Sequence, residues 1–545
     1  MVFLAFFNFI LIISIFGYSY LLKLVLSKSS NNYISNLDFF YGLFLLFLIS
    51  LVAHIFIPLS YISNFIILIG IILFCISILK KKFKVSLVKY FFIIFIFSII
   101  AYYGVDNVDS PLYHLQIVKW LYNHKLTFGL ANLEYRLGVN YPWYSIITLI
   151  NFEIFQFSNK YYVSILIFSF LLYEILSQKI VKKSFIFLSL AFSYLFIFSL
   201  IHPYNYGVVL NHIGNPEKDL FNMCLFIFAI YLILKIDESE NISNNINIIS
   251  ISFIVFTMLI MQMVLYSFLF PIFIFLFYKF VKLTEHFKLL TCIVLITLLW
   301  LFKSVAINGC LIFPISFTCL NTDWTIDISF LNYMVDETKR YSRSLPSLEM
   351  LNDYYKTLET FLWVKPWFKN YFLQTAMHQI NLIIFIFSLV FIFFLVLKKK
   401  YFISFFDIIL ITSILLVNFV CILMIPEIRY YWGPHISISV IILTTIICSF
   451  NYKFLKNVNF YNLVTILSLS FFLIFKVLPM SKFKDLTKLP ERKHNYTSKK
   501  KIGIFNGYEI FTNNWQCADI NEICVNIPKK NYDFKSKHSF LLILR

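Results

Sequence analysis

Charge is scarce in this sequence. Only 13% of its 545 residues are Asp, Glu, Lys or Arg, against about 25% in an ordinary soluble domain. No long polar stretch between residues 2 and 479 could form a water-soluble domain. Glycine is also scarce: twelve residues exclude a bundle packed wholly on small side chains, so helix contacts are expected to come mainly from large ones. There is no Walker loop, no Rossmann glycine fingerprint and no metalloprotease helix. A nucleotide-driven pump and a nucleotide-sugar enzyme are thereby disfavoured.

What is present is apolar. Hydrophobic residues make up 60% of the chain, with 67 Phe. A spanning helix needs about 20 apolar residues. Such runs are expected at 2–22, 39–59, 65–79, 86–103, 161–178, 184–201, 220–236, 248–264, 266–282, 288–307, 379–397, 403–424, 435–450 and 460–478. The reading is therefore an all-α integral membrane protein of about fourteen spans over 1–479, followed by a small tail at 480–545. The first run lacks a basic leader and a small-residue cleavage site, so it reads as a retained helix.

The net charge of +19 resides in short Lys clusters between spans, among them Lys80 to Lys84, Lys179 to Lys183, Lys279 to Lys288, Lys398 to Lys400 and Lys453 to Lys456. That pattern follows the positive-inside rule and not a nucleic-acid surface. With all five clusters inside, both termini fall outside. Trp143 to Phe157 then cannot be a span and reads as an interfacial or re-entrant helix, and the unbroken run from Ile248 to Tyr278 needs a turn near Gln262. The outer face collects the loops at about 104–160, 202–219, 306–378 and 426–435, and the tail. In the longest loop, Leu348, Leu351, Tyr355, Leu358 and Leu362 form one helical stripe suited to packing on the membrane domain. Glu174 and Asp407, near the inner span ends, are expected to pair with lysines.

Cys310, Cys319, Cys517 and Cys524 all fall in outer segments, and their closeness in sequence suggests two disulfides, Cys310–Cys319 and Cys517–Cys524. Asp106 and Asp109 follow directly on a span. A carboxylate at a membrane boundary suits general-base work, because partial burial raises its pKa; equally, Asp109 or Ser110 suits a helix N-cap. His114 lies nearby. Lys303, near an outer span end, either snorkels to the interface or pairs with an anion. Asp219 reads as a helix N-cap or a second acid, and His212 as a sugar contact or a polar loop residue. Asp106, Asp109 and Asp219 either gather round a divalent metal or never meet, and no His spacing supports a metal.

The segment from Asp109 to Gln116 (DSPLYHLQ), with Tyr141-Pro142-Trp143 after it, resembles the first outer loop of GT-C-type bacterial membrane glycosyltransferases. These include protein O-mannosyltransferases and the lipid A aminoarabinose transferase. Three further segments are similar to that class: Trp300 to Pro314, Pro426 to Gly433, and Gln516 to Cys524. The resemblance implies an inner-membrane enzyme, with no required cofactor, that takes sugar from a polyprenyl-phosphate at the outer face. Asp109, with Asp106 beside it, would deprotonate the acceptor hydroxyl. Lys303, Arg429 and Arg136 would hold the departing phosphate, and Tyr113, His114, His212 and Asp219 would line the acceptor or sugar site. The expected partners are the lipid-linked sugar and membrane lipid. A lipid-glycan flippase or a glycan polymerase fits the same composition.

Overall fold

The computed structural model describes most of residues 2–478. Outside the described residues are 27–32, 105–108, 202–211 apart from Val209, 239–241, 273–282, 345–357, 374–377, most of 380–404, 450–456, 479–499 and a few single positions; the tail is described only as short strand segments.

Eight described helices are long and apolar enough to cross a membrane: Val2–Leu26, Asn36–Phe56, Ser60–Leu79, Lys183–Leu200, Lys218–Asp237, His286–Asn308, Phe406–Met424 and Val458–Val477. Four shorter apolar helices accompany them, Leu87–Tyr102, Ser164–Ser177, Asn247–Gln262 and Trp432–Cys448. The protein is thus a helical, multi-pass membrane protein. The expected runs at 266–282 and 379–397 fall largely outside the described residues. The long apolar stretch does break at Gln262, where the helix gives way to a 3-10 turn, Val264–Leu269. These helices are apolar all round, which suits burial against either protein or lipid.

The Lys218–Asp237 helix is the hub, with 94% of its apolar window buried, against 28% for Ser60–Leu79 and for Val458–Val477 at the periphery. Stacked aromatic pairs lock the hub to its neighbours. Phe228 lies 4.6 Å from Phe40, and Phe221 lies 4.1 Å from Trp143.

Hydrogen bonds sort the connections into two ends. At one end Ile34 meets Lys82, Lys288 donates to the Val25 carbonyl, Lys235 pairs with Glu174 and Lys183 with Asp407. The basic loops among the described residues gather there, and Glu174 and Asp407 are indeed lysine-paired. At the other end Leu126 bonds His54, Asn140 bonds Trp300, Trp143 bonds Gln262, Asn132 bonds Trp324 and Tyr266 bonds Tyr430.

Pro142–Leu149 is a short helix with every residue buried, followed by a small hairpin, and it is not among the spans, as expected of this stretch. Proline sets its first turn, and the apolar run is too short to reach across. Large side chains do not carry all the packing, since the first three spans approach through small residues. A Cβ on Gly17 would stand 1.9 Å from the Gly70 carbonyl oxygen, and one on Gly70 would stand 2.0 Å from Ser14 Oγ. The membrane part is helical as expected, and the described tail segments beyond it are strands, Lys500–Phe505 against Tyr508–Thr512 and Phe534–Lys537 against Phe540–Ile543. In the long loop the longest described helix is Ile328–Ser344; most of the expected stripe at 348–362 lies outside the described residues.

Gly70→Leu is expected to wedge the first and third spans apart at a cost of about 1–3 kcal/mol. A lowered unfolding midpoint of the detergent-solubilised protein would show it, while an unchanged midpoint would mean that this contact is not tight.

Candidate functional site

The loop after Leu87–Tyr102 carries Asp109, in the N-cap position of a wide turn, Ser110–His114, that runs on into the Leu115–Asn123 helix. Its side chain makes no cap bond. It pairs instead with Arg429, 320 residues away.

Arg429 lies on the segment between the Phe406–Met424 and Trp432–Cys448 helices. Pro426 cannot extend the first of these, and the chain turns through Ile428–Tyr430. Three aromatic residues clamp that turn. The Trp367 indole donates to the Pro426 carbonyl at 3.0 Å, the Tyr266 hydroxyl donates to the Tyr430 carbonyl at 3.0 Å, and the Ile428 amide donates to the Tyr371 hydroxyl at 3.4 Å. The guanidinium therefore has a fixed origin. Its Nε lies 2.7 Å from Glu427 Oε1.

A second carboxylate group adjoins this pair. Glu217 precedes the hub helix; one of its oxygens accepts from the Ser110 hydroxyl at 3.2 Å, and the other meets His212 Nδ1. The His212 ring stands edge-on to Trp432 at 4.9 Å. Lys218 places its ammonium 3.7 Å from the centre of the Tyr141 ring and 5.8 Å from that of Tyr430. His114 Nδ1 is hydrogen-bonded to the Tyr144 hydroxyl. Arg136 pairs with Glu134 at 3.0 Å and lies 5.6 Å from the Tyr113 ring.

The two carboxyl groups are pushed in opposite directions. Burial alone would raise Asp109, but Arg429, His114 and Arg136 outweigh it and hold the group below its ordinary value. Glu217 is raised, first by burial, with Asp219 and Asp109 adding to it against the opposing pull of His212. Burial would lower His212, yet Glu217 and Asp219 raise it. Burial also pushes His114 down to about 3, so its imidazole is neutral.

The fold thus brings together Asp109, Arg429, Tyr113, His114, His212 and Asp219, with Arg136 at the edge. Asp219 is not the N-cap: Glu217 holds that position, and Asp219 lies in the first helical turn. Lys303 neither snorkels nor meets an anion among the described residues. It is 2% exposed, donates to Ser145 Oγ at 2.9 Å, and shares a separate small cavity with His54. Asp106 lies outside the described residues. Cys310 and Cys319 form a disulfide, whereas Cys517 lies outside the described residues. Among the described residues no three His, Cys, Asp or Glu side chains gather as a metal site. The sequence reading missed Glu217, Lys218, Glu427 and Trp432. The signal was present in Glu217-Lys218-Asp219, three successive charges at the mouth of an apolar span.

A family model described as a domain of unknown function, DUF8201, matches residues 1–436. The chain belongs to the DUF8201 family. The DUF8201 match contains every member of the cluster and ends short of the tail. No curated protein and no solved structure matches the chain.

The lowered Asp109 carboxyl gives a signed pH effect. The stability that its pairing adds is fully present above the ordinary aspartate value of about 3.9 and is lost as pH falls through the lower folded-state value. Asp109→Asn is expected to reduce stability near neutral pH and to flatten that acid-side loss. Unfolding midpoints from pH 7 down to about 3 would show it; parallel wild-type and variant curves would mean that the pair adds nothing.

Proposed function

We propose that this protein is a GT-C-type membrane glycosyltransferase that moves a sugar from a polyprenyl-phosphate to a lipid, glycan or protein acceptor at the outer face of a bacterial inner membrane. The observation that carries this reading is Arg429, a clamped guanidinium held between Asp109 and Glu427. Arginine matches phosphate geometry through paired donors. A carboxylate-held guanidinium is ready for exchange, since a lipid phosphate can take over the contacts that Asp109 makes at rest. Arg429 would then stabilise the charge that develops on the departing phosphate. Asp109, freed by that exchange and still in the loop, is the acid that the family resemblance assigns as base. Arg136 would extend the phosphate site from its edge. Tyr113, His114, His212 and Asp219 would face the sugar or acceptor.

The fourteen-span topology belongs to this reading. Tyr266 lies with the cluster while Lys288 lies at the basic end, and His378 lies with Tyr431 while Asp407 lies at the basic end. The placement of each pair at opposite ends is what supports the two further spans expected from the sequence. The positive-inside rule makes the basic end cytoplasmic and the cluster outward-facing, with both termini outside. Transporters usually place binding groups near the midplane between broken helices. The position of the Arg429 cluster at an end of the bundle, and not at its middle, favours a transferase over a flippase.

The test is sugar release in proteoliposomes supplied with undecaprenyl phosphate carrying glucose, mannose, galactose or aminoarabinose. Arg429→Gln is expected to lower turnover by roughly 100-fold or more. Turnover within threefold of wild type would sink the assignment.

A further inference from the structure

Two carboxyl groups face the cluster, and their surroundings suit them to different work. Asp109 is bound to the guanidinium of Arg429. Glu217 has no arginine or lysine against it among its described contacts; its partners are a hydroxyl, Ser110, and an imidazole, His212. Both Glu217 and His212 are buried. The wall around them is not fully satisfied. Trp432 Nε1 and His114 Nε2 are buried without a hydrogen-bond partner, and the Trp432 ring stands edge-on against His212. Buried polar atoms are nearly always bonded in folded proteins. Two unmet ones on rings that face His212, the partner of Glu217, mark a place where a polar ligand, such as a sugar hydroxyl, completes the set.

We infer that the Glu217–His212 pair, and not Asp109, takes the proton from the acceptor hydroxyl; the inference rests on the transferase reading. In the step, the acceptor O–H bond breaks and its proton passes to a Glu217 oxygen. The acceptor oxygen bonds to the anomeric carbon. The bond from that carbon to the carrier phosphate breaks, and its electron pair leaves on the phosphate, which stays against Arg429. Glu217 afterwards gives the proton to water. Asp109 is a positioning residue here: it holds Arg429 in place until the phosphate arrives.

The electrostatics agree. Environments that push two carboxyl groups apart in pKa separate their roles, and here the freer group is the raised one. The groups facing the pair come from four elements. They are Asp109, Ser110 and His114 from the first loop, Tyr144 from the buried short helix, Lys218 and Asp219 from the hub helix, and Arg429 and Trp432 from the late segment.

The experiment measures kcat against pH for the full chain in proteoliposomes with the same four undecaprenyl-phosphate sugars, alongside binding of undecaprenyl phosphate itself. Glu217→Gln is expected to lose about 100-fold or more in kcat while binding undecaprenyl phosphate as wild type does. His212→Asn is expected to move the acid limb of the profile to higher pH, because the group that helps to keep Glu217 ionised is gone. Asp109→Asn is expected to leave the acid limb unshifted or slightly lower. If Glu217→Gln does not fold, the His212→Asn limb decides. An active wild type with either an active Glu217→Gln or an unmoved His212→Asn limb overturns this inference alone. A wild type inactive on all four donors overturns the transferase reading and this inference with it.

Discussion

The pairing of Arg429 with Asp109 ties the loop that follows Leu87–Tyr102 to the segment between the Phe406–Met424 and Trp432–Cys448 helices. A buried guanidinium is costly unless carboxylates match it. Glu427 supplies the second carboxylate from two residues away. Once Arg429 is held, its neighbours on the same short segment fall into place. Tyr430 comes near Lys218, Tyr431 bonds His378, and Trp432 meets His212. The ion pair and the three aromatic clamps together fix a segment that touches the first loop, the hub helix and the long loop at once.

Acidic residues occur at both ends of the bundle, and the difference between the ends lies in how completely they are satisfied. At the basic end Glu174 accepts from Asn36 at 2.9 Å, Tyr231 at 2.6 Å, Gln178 at 2.8 Å and Lys235 at 3.1 Å. Asp38 is met by Lys23, by the Ser35 backbone and by Asn247. Such saturated networks pin helix ends and leave no bonding capacity over. Glu217 has one described partner on each oxygen, and buried atoms of Trp432 and His114, rings that face His212, are left without one. The same residue types thus act as struts at one end and as a receptive surface at the other.

Composition misleads when it is averaged over the chain. Twelve glycines argue against small-residue packing in general, yet Gly17, Gly42 and Gly70 all lie where the first three spans approach most closely. Without a hydrophobic force between helices in lipid, close backbone approach is one of the few sources of attraction, so a few well-placed glycines outweigh their number. Lys303 is misread for a related reason. Its position near a span end suits snorkelling, but the Ser145 hydroxyl on the buried short helix stands in reach and captures it inward.

The linear pattern was enough for the properties that depend on solvent alone. Runs of apolar residues long enough to cross lipid and lysine clusters between them are written residue by residue, because the bilayer acts on each segment separately. The gathering of complex loops at one end, the lysine partners of Glu174 and Asp407, and the Cys310–Cys319 bridge followed from the same logic. Asp109 and Arg429 could be singled out as charges beside spans, but their partnership could not. Contact across 320 residues, the choice of Glu217 over Asp219 as the residue capping the hub helix, the inward turn of Lys303 and the opposite environments of two carboxyl groups all depend on which side chains meet in space. Desolvation and pairing act only once the helices are packed, and so only the tertiary structure decided them.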